Sequence, residues 1–121
     1  MAPHLWIVYA LSASMLWGVA YVVAEKIMKE TAVTPIFLMV ATYAITIPIF
    51  TGIGLHLGHF KAGINALMTS QSLLWLIALH AVTIVAGNIL ILTSVLEKNA
   101  TLATMIEITY PLFVALFAYL I

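Results

Sequence analysis

The sequence predicts an all-α integral membrane protein, a bundle of four transmembrane helices. Of its 121 residues, 65% are hydrophobic and only 7% are charged, too few charges for the surface of a soluble domain. Four apolar runs each reach the length of about 20 residues that a helix needs to cross a bilayer. Barrel strands would alternate polar and apolar residues in shorter segments, and these runs do not. We expect a single transmembrane domain over residues 1–121.

The first run, residues 5–24, carries no charge and predicts a helix over roughly 4–28. It lacks a preceding basic region and is too long for the core of a signal peptide, so we expect it to be retained. Helical spacing places one stripe of polar, aromatic and small residues along it: Ala10, Ser14, Trp17, Tyr21 and Glu25. Small residues four apart, such as Ser14 and Gly18, also serve helix packing, which is the alternative reading of this stripe.

The second run predicts a helix over roughly 35–56, joined to the first by residues 25–34. Such a short link makes neighbouring helices antiparallel. Pro48 removes a backbone donor and frees the carbonyl of Ala44, so we expect it to interrupt or kink this helix. The longer link that follows, residues 56–71, holds Lys61 and two histidines. Its residues 62–68 form either a short interfacial helix or a plain loop.

The third run predicts a helix over roughly 71–96, and a short link at 97–99 leads to the fourth, over 100–121. His80 and Asn88 are the main polar side chains of the third helix. The fourth contains Glu107, the only formally charged side chain within any of the four runs. Acids at membrane depth usually face a bundle interior or a watery cavity. Pro111, four residues later, frees the carbonyl of Glu107 itself.

Glu107 is therefore predicted to bind a proton or a cationic substrate inside a cavity between helices. Because it lies only about two turns into its helix, the alternative is a structural or interfacial role, paired with Lys98, Lys26 or Lys29. Aromatic rings, hydroxyls, an amide and one acid are typical linings of small-molecule sites. The candidate substrate- or proton-binding residues are Glu107, Tyr110, Thr104, Trp17, Ser14, Tyr21, Asn88 and His80, and the candidate helix-kink residues are Pro48 and Pro111.

Several function classes are disfavoured. His56 and His59 have no neighbouring acid or cysteine, whereas zinc takes three or four protein ligands. His80 has no second intramembrane histidine with which to hold haem, so we expect no metal and no cofactor. The net charge of zero argues against nucleic-acid binding. No nucleophile elbow, phosphate-binding loop or metalloprotease motif occurs, and we expect no enzyme activity.

The lysines give a weak orientation signal. Lys26, Lys29 and Lys98 fall on one side of the membrane, and Lys61 falls on the other with the N-terminal amine. The positive-inside rule places the first and third links in the cytoplasm. Because the margin is small, the chain is also compatible with both orientations.

Three stretches resemble the EamA-like branch of the drug/metabolite transporter superfamily. Leu16-Trp17-Gly18, followed by Tyr21 and Lys26, is similar to that family's first helix. Residues 94–101 (SVLEKNAT) resemble the short link before its last helix, and residues 106–118 (IEITYPLFVALFA) resemble the proline-containing helix that closes each repeat.

The resemblance implies a multi-pass transporter of a small metabolite or drug in a cell membrane, expected to be a prokaryotic inner membrane. Most relatives have ten helices in two inverted repeats, whereas this chain has four. The small multidrug resistance transporters are similar in size and work as antiparallel dimers, which suggests a homodimer here. They carry their essential acid in the middle of the first helix, where this chain has Ser14 to Gly18, so Glu107 is the better candidate for coupling. The rival hypothesis is a non-transporting membrane subunit packed in a larger complex.

Overall fold

A computed structural model describes residues 2–121, and this range contains helices and no strand. In chain order the helices are α1 (Leu5–Glu30), α2 (Pro35–His56), α3 (Phe60–Thr69), α4 (Gln71–Glu97), α5 (Ala100–Glu107) and α6 (Tyr110–Leu120). Four segments of this range are long and apolar enough to cross a membrane: α1, α2, α4, and α5 together with α6. The predicted fold class is confirmed.

The first helix is longer than predicted. α1 continues to Glu30, so the link to α2 is only residues 31–34 rather than 25–34. A salt bridge of 2.8 Å between Lys29 and Glu25, one turn apart, supports the last turn. Thr31 ends the helix, and both its N–H and its hydroxyl donate to the Ile27 carbonyl.

The middle link contains a helix, α3, rather than a plain loop, and this helix is longer than the expected residues 62–68. Gly58 adopts φ 70°, a left-handed conformation that favours glycine, and turns the chain between α2 and α3. The N–H of His59 then donates to the Gly54 carbonyl at 3.0 Å. With 10 residues at about 1.5 Å each, α3 is too short to cross the hydrocarbon layer.

The fourth span is broken at Ile108 and Thr109, three and two residues before Pro111. The N–H of Thr109 donates to the Ile106 carbonyl at 3.1 Å, and the N–H of Leu112 donates to the Thr109 carbonyl at 3.0 Å. Both bonds reach back three residues, the tighter pattern of a 3₁₀ turn. The Thr109 hydroxyl also donates to the Ile106 carbonyl, at 2.9 Å.

No break occurs at Pro48, and the kink expected there stays a prediction. α2 runs through it without a break, from Pro35 to His56. The local sequences are nearly the same, since the pattern Ile-Thr-x-Pro-x-Phe occurs at residues 45–50 and again at 108–113. They differ four residues before the proline, where α2 has Ala44 and the fourth span has Glu107. They also differ directly before the proline, where α2 has Ile47 and the fourth span has Tyr110.

The chain divides into two compact units. The first comprises the residues up to Pro35 and from Ile91 onward, and therefore α1, the end of α4, α5 and α6. It contains every buried side chain of the described residues: Ala24, Met28, Leu92, Val95, Ala100 and Ala103. Glu25 contacts the first residue of α5, and Tyr21 contacts its last. α5 therefore runs antiparallel to α1.

The second unit, residues 36–90, comprises α2, α3 and most of α4. A hydrogen bond joins its two long helices, from the Asn88 side-chain amide to the Tyr43 hydroxyl at 3.2 Å. Its large apolar side chains are mostly exposed, for example Phe50 at 71% and Leu90 at 72%. Exposed apolar surface on helices of this length is suited to contact with lipid.

Candidate functional site

Glu107 lies at the C-terminal end of α5, and its carboxylate is tied to α1. The Tyr21 hydroxyl donates to its Oε1 at 2.9 Å, and both side chains are half-buried. The two residues are 86 positions apart in the chain, so this contact depends on the packing of α5 against α1. The structure brings together two of the predicted site residues as a direct pair.

An aromatic side chain extends this pair along α1. The ring centroids of Trp17 and Tyr21 are 6.1 Å apart and their planes are tilted by 33°. Trp17 is 59% exposed, so its ring face is accessible beside the phenol. A carboxylate next to accessible aromatic rings is a suitable environment for a cation, because the ring faces carry negative potential.

The lysine-paired alternative for Glu107 is not what the structure shows. Within residues 2–121 one salt bridge forms, between Lys29 and Glu25, and Glu107 takes no part in it. The partner of Glu107 is a neutral phenol, which can donate to an ionised carboxylate or accept from a protonated one. The contact of Glu107 is therefore a hydrogen bond to a phenol rather than an ion pair.

Two predicted hydroxyls are engaged within their own helices. The Ser14 hydroxyl donates to the Ala10 carbonyl at 3.1 Å. The Thr104 hydroxyl donates to the carbonyls of Ala100, at 2.7 Å, and Thr101, at 3.2 Å. Such back-bonding uses the donor of each hydroxyl and leaves oxygen lone pairs to accept from a ligand.

Tyr110 begins α6 directly after the break and is 61% exposed. Pro111 follows it, at a helix start where the missing N–H leaves no hydrogen bond unmade. Thr109, whose hydroxyl donates to the Ile106 carbonyl at the break, was not predicted as a site residue. The Thr-x-Pro spacing was a usable signal for it, since a hydroxyl near a proline can satisfy a freed backbone group.

The remaining two predicted residues belong to the second unit. Asn88 is half-buried and bonds to Tyr43, whereas His80 is exposed on α4. Tyr43 was missed, although a tyrosine in the middle of an apolar run does not fit the interfacial belt and was a signal. Asn88 and Tyr43 form a polar contact between two membrane-crossing helices.

A second polar cluster in the first unit clamps the link between α4 and α5 to the end of α1. Oε1 of Glu25 accepts from Lys29 at 2.8 Å, and Oε2 accepts from the Ala100 N–H at 2.8 Å. Lys29 also donates to the Lys98 carbonyl at 2.6 Å. Asn99 caps α5, accepting from the Leu102 N–H at 2.8 Å. The first turn of α5 thus has two of its free N–H groups satisfied by side chains.

Sequence reasoning placed Glu25 only at the end of a stripe on the first helix. Two local signals predict parts of this polar cluster. Glu25 and Lys29 have the favourable i, i+4 spacing on a helix, and an asparagine before a helical run is typical of an N-cap. Neither signal reveals that Glu25 reaches the start of α5, because that contact spans 75 positions.

Comparison with known proteins gave one match. The family model described as the EamA-like transporter family matches residues 4–121. No curated protein and no solved structure matches the chain. The family match includes all three stretches that carry the resemblance, which is thereby confirmed.

Proposed function

The chain belongs to the EamA-like transporter family, and from that membership we propose that it moves a small metabolite or drug across a membrane by alternating access, as a dimer. The membership makes it a membrane transporter of the drug/metabolite type. Alternating access, the dimer and the role of Glu107 go beyond this membership and are proposed here. The observation that carries it is the hydrogen bond between Tyr21 and Glu107.

An acid inside a membrane-crossing segment is costly. An isolated acid at mid-membrane costs about 2.5–3.5 kcal/mol on insertion scales, and such residues mark substrate or ion pathways. Glu107 is neutralised by no lysine within residues 2–121, and a tyrosine from another helix orients its carboxylate. This arrangement supports a role in binding a proton or a cationic group rather than in holding the fold through an ion pair.

A dimer would complete the site. Trp17 and Tyr110 are both more than half exposed, and both belong to the same unit as Glu107. A polar and aromatic face of this kind requires a partner other than hydrocarbon, and repeat-built transporters place their substrate sites where two such halves meet. The weak lysine asymmetry is compatible with an antiparallel arrangement of the two copies.

Transport by the purified chain in proteoliposomes tests the proposal. Uptake of a panel of amino acids, amines and cationic drugs is measured for the wild type, for Glu107→Gln and for the control Glu30→Gln. Glu30 is exposed at the end of α1. We expect Glu107→Gln to lower transport by at least about a hundredfold, the lower end of the range for loss of a general acid–base group. Glu30→Gln should transport as the wild type does.

Two results would contradict the proposal. Transport by Glu107→Gln at the wild-type rate, with an unchanged pH dependence, would exclude the acid from coupling. A folded wild-type chain that moves no solute would favour the non-transporting subunit. Chemical crosslinking in the same vesicles measures the dimer, and a strictly monomeric active chain would remove that part of the proposal.

A further inference from the structure

The second unit contains an apolar groove beside α3. Its volume is about 490 Å³, within the range of about 300–1,000 Å³ that small-molecule sites occupy. The side chains that define it are those of Phe50, Phe60, Leu67 and Ile77, with Gly54 and Gly63 between them. His59 is the polar residue of the lining. The lining residues of the groove belong to the second unit, whereas Glu107 belongs to the first.

Two glycines shape this groove in different ways. A Cβ placed on Gly54 would clash with the Phe60 ring, so glycine lets that ring pack against the backbone of α2. A Cβ placed on Gly63 would meet nothing within 4 Å. Gly63 therefore leaves open space on the α3 side, which a larger residue would fill without a clash of its Cβ.

No lining residue of the groove is an acid or a lysine, and the formal charge of the second unit has one sign. Residues 36–90 contain Lys61 and no aspartate or glutamate, a net charge of +1 with histidines neutral. The first unit holds the other three lysines and all four glutamates, a net charge of −1. Lys61 directly follows Phe60 and is exposed. The second unit therefore has no acid to pair with Lys61 and is complementary to an anion.

The length of α3 limits where it can lie relative to the membrane. The helices that precede and follow α3 in the chain, α2 and α4, are long enough to cross the membrane, whereas α3 is not. A short helix with apolar residues on one side and a lysine on another lies in the interface, at the level of the lipid headgroups. We therefore expect the groove to open at the level where acyl chains and phosphates are both present.

We propose that this groove binds one anionic phospholipid of the bilayer, with an acyl chain between Phe50 and Leu67 and the phosphate beside Lys61. A second copy of the chain, whose first unit contains four glutamates, is the competing occupant, and the lipid titration distinguishes the two. The proposal is independent of transport, because it uses no residue of the Glu107 site.

Native mass spectrometry of the full chain in detergent tests this site. Phosphatidylglycerol and phosphatidylcholine with identical acyl chains are titrated separately, so that only the headgroup charge differs. We expect the wild type to prefer phosphatidylglycerol about fivefold, the effect of one lysine near an anionic headgroup. Lys61→Gln should abolish that preference. Lys26→Gln, which removes an exposed lysine of the first unit, should preserve it.

The acyl-chain part of the site is tested with a second matched pair. Gly63→Leu should lower the binding of both lipids about tenfold, equivalent to the loss of roughly two buried methylenes. Gly52→Leu makes the same change at another open helical glycine, outside the groove, and should bind as the wild type does. If Gly63→Leu does not fold, hydrogen exchange of α3 in the wild type replaces it, and phosphatidylglycerol should protect α3 more than phosphatidylcholine does.

Several outcomes would overturn the proposal. Equal binding of the two lipids by the wild type would exclude charge recognition, and so would an equal effect of the two lysine variants. Wild-type lipid binding by Gly63→Leu, or an equal loss in Gly52→Leu, would show that the lipid lies elsewhere. A lipid-free dimer that Gly63→Leu dissociates would assign the groove to a second copy of the chain.

Discussion

The hydrogen bond between Tyr21 and Glu107 is expected to stabilise the packing of α5 against α1 by a measurable amount. A double-mutant cycle isolates it, with Tyr21→Phe, Glu107→Gln and the two combined. Tyr21→Phe removes only the hydroxyl and keeps the ring against Trp17. Because the donor and the acceptor lie on different helices, the coupling free energy reports the tertiary contact itself.

The geometry sets the expected magnitude. Hydrogen bonds between membrane helices contribute about 0.6 kcal/mol on average and about 1.7 kcal/mol at most. The O···O distance of 2.9 Å is longer than the roughly 2.5–2.7 Å of strong charge-assisted bonds to a carboxylate. We therefore expect a coupling of about 0.6–1.2 kcal/mol, in the middle of that range.

Reversible unfolding of the purified chain in mixed micelles, with a rising fraction of sodium dodecyl sulfate, measures the free energies. Tyr9→Phe on the same helix is the matched control, because Tyr9 is 62% exposed. It should change the free energy of unfolding by less than about 0.5 kcal/mol. A coupling below about 0.3 kcal/mol, the usual error of additivity, would refute the proposed contact.

Three further predictions concern the packed end of the first unit. Asn99→Ala should lower the free energy of unfolding by about 1 kcal/mol through loss of the N-cap, and an unchanged value in the same micelle titration would count against the cap. Glu25→Gln should speed hydrogen exchange of the Ala100 amide, whereas unaltered exchange would show that the clamp on the link is dispensable. Val95→Ala should lower the free energy of unfolding by about 1–3 kcal/mol because its side chain is fully buried. Leu90→Ala, at a residue 72% exposed, should change it by less than about 0.5 kcal/mol, and equal losses in these two variants would contradict the assigned core.

The membrane-crossing segments were predictable because length and apolarity are local properties of the chain. Each of the four runs became a helical span, and only the ends moved, as at Glu30. The sequence does not distinguish a helix from a loop at α3, because ten residues of mixed polarity carry a weak periodic signal. Its helical state became visible only together with the Gly58 turn and the packing of Phe60 against Gly54.

The candidate site was predicted as a set of residues rather than as contacts. Glu107 and Tyr21 were both singled out, one for its charge and one for its place on a stripe. Neither segment of the sequence predicts that the Tyr21 hydroxyl donates to the Glu107 carboxylate. Glu25 shows the same limit, since its bond to the Ala100 N–H exists only when α1 and α5 are side by side.

The sequence by itself determined that this is a four-span membrane transporter with an acid in its last span, because composition, run length and motif are read along the chain. Only the tertiary structure decided what that acid contacts and where a proline breaks a helix. The pattern Ile-Thr-x-Pro-x-Phe leaves α2 continuous at Pro48 and divides the last span at Pro111. A proline removes the same backbone donor in both places, so the shared motif alone does not predict whether the helix breaks.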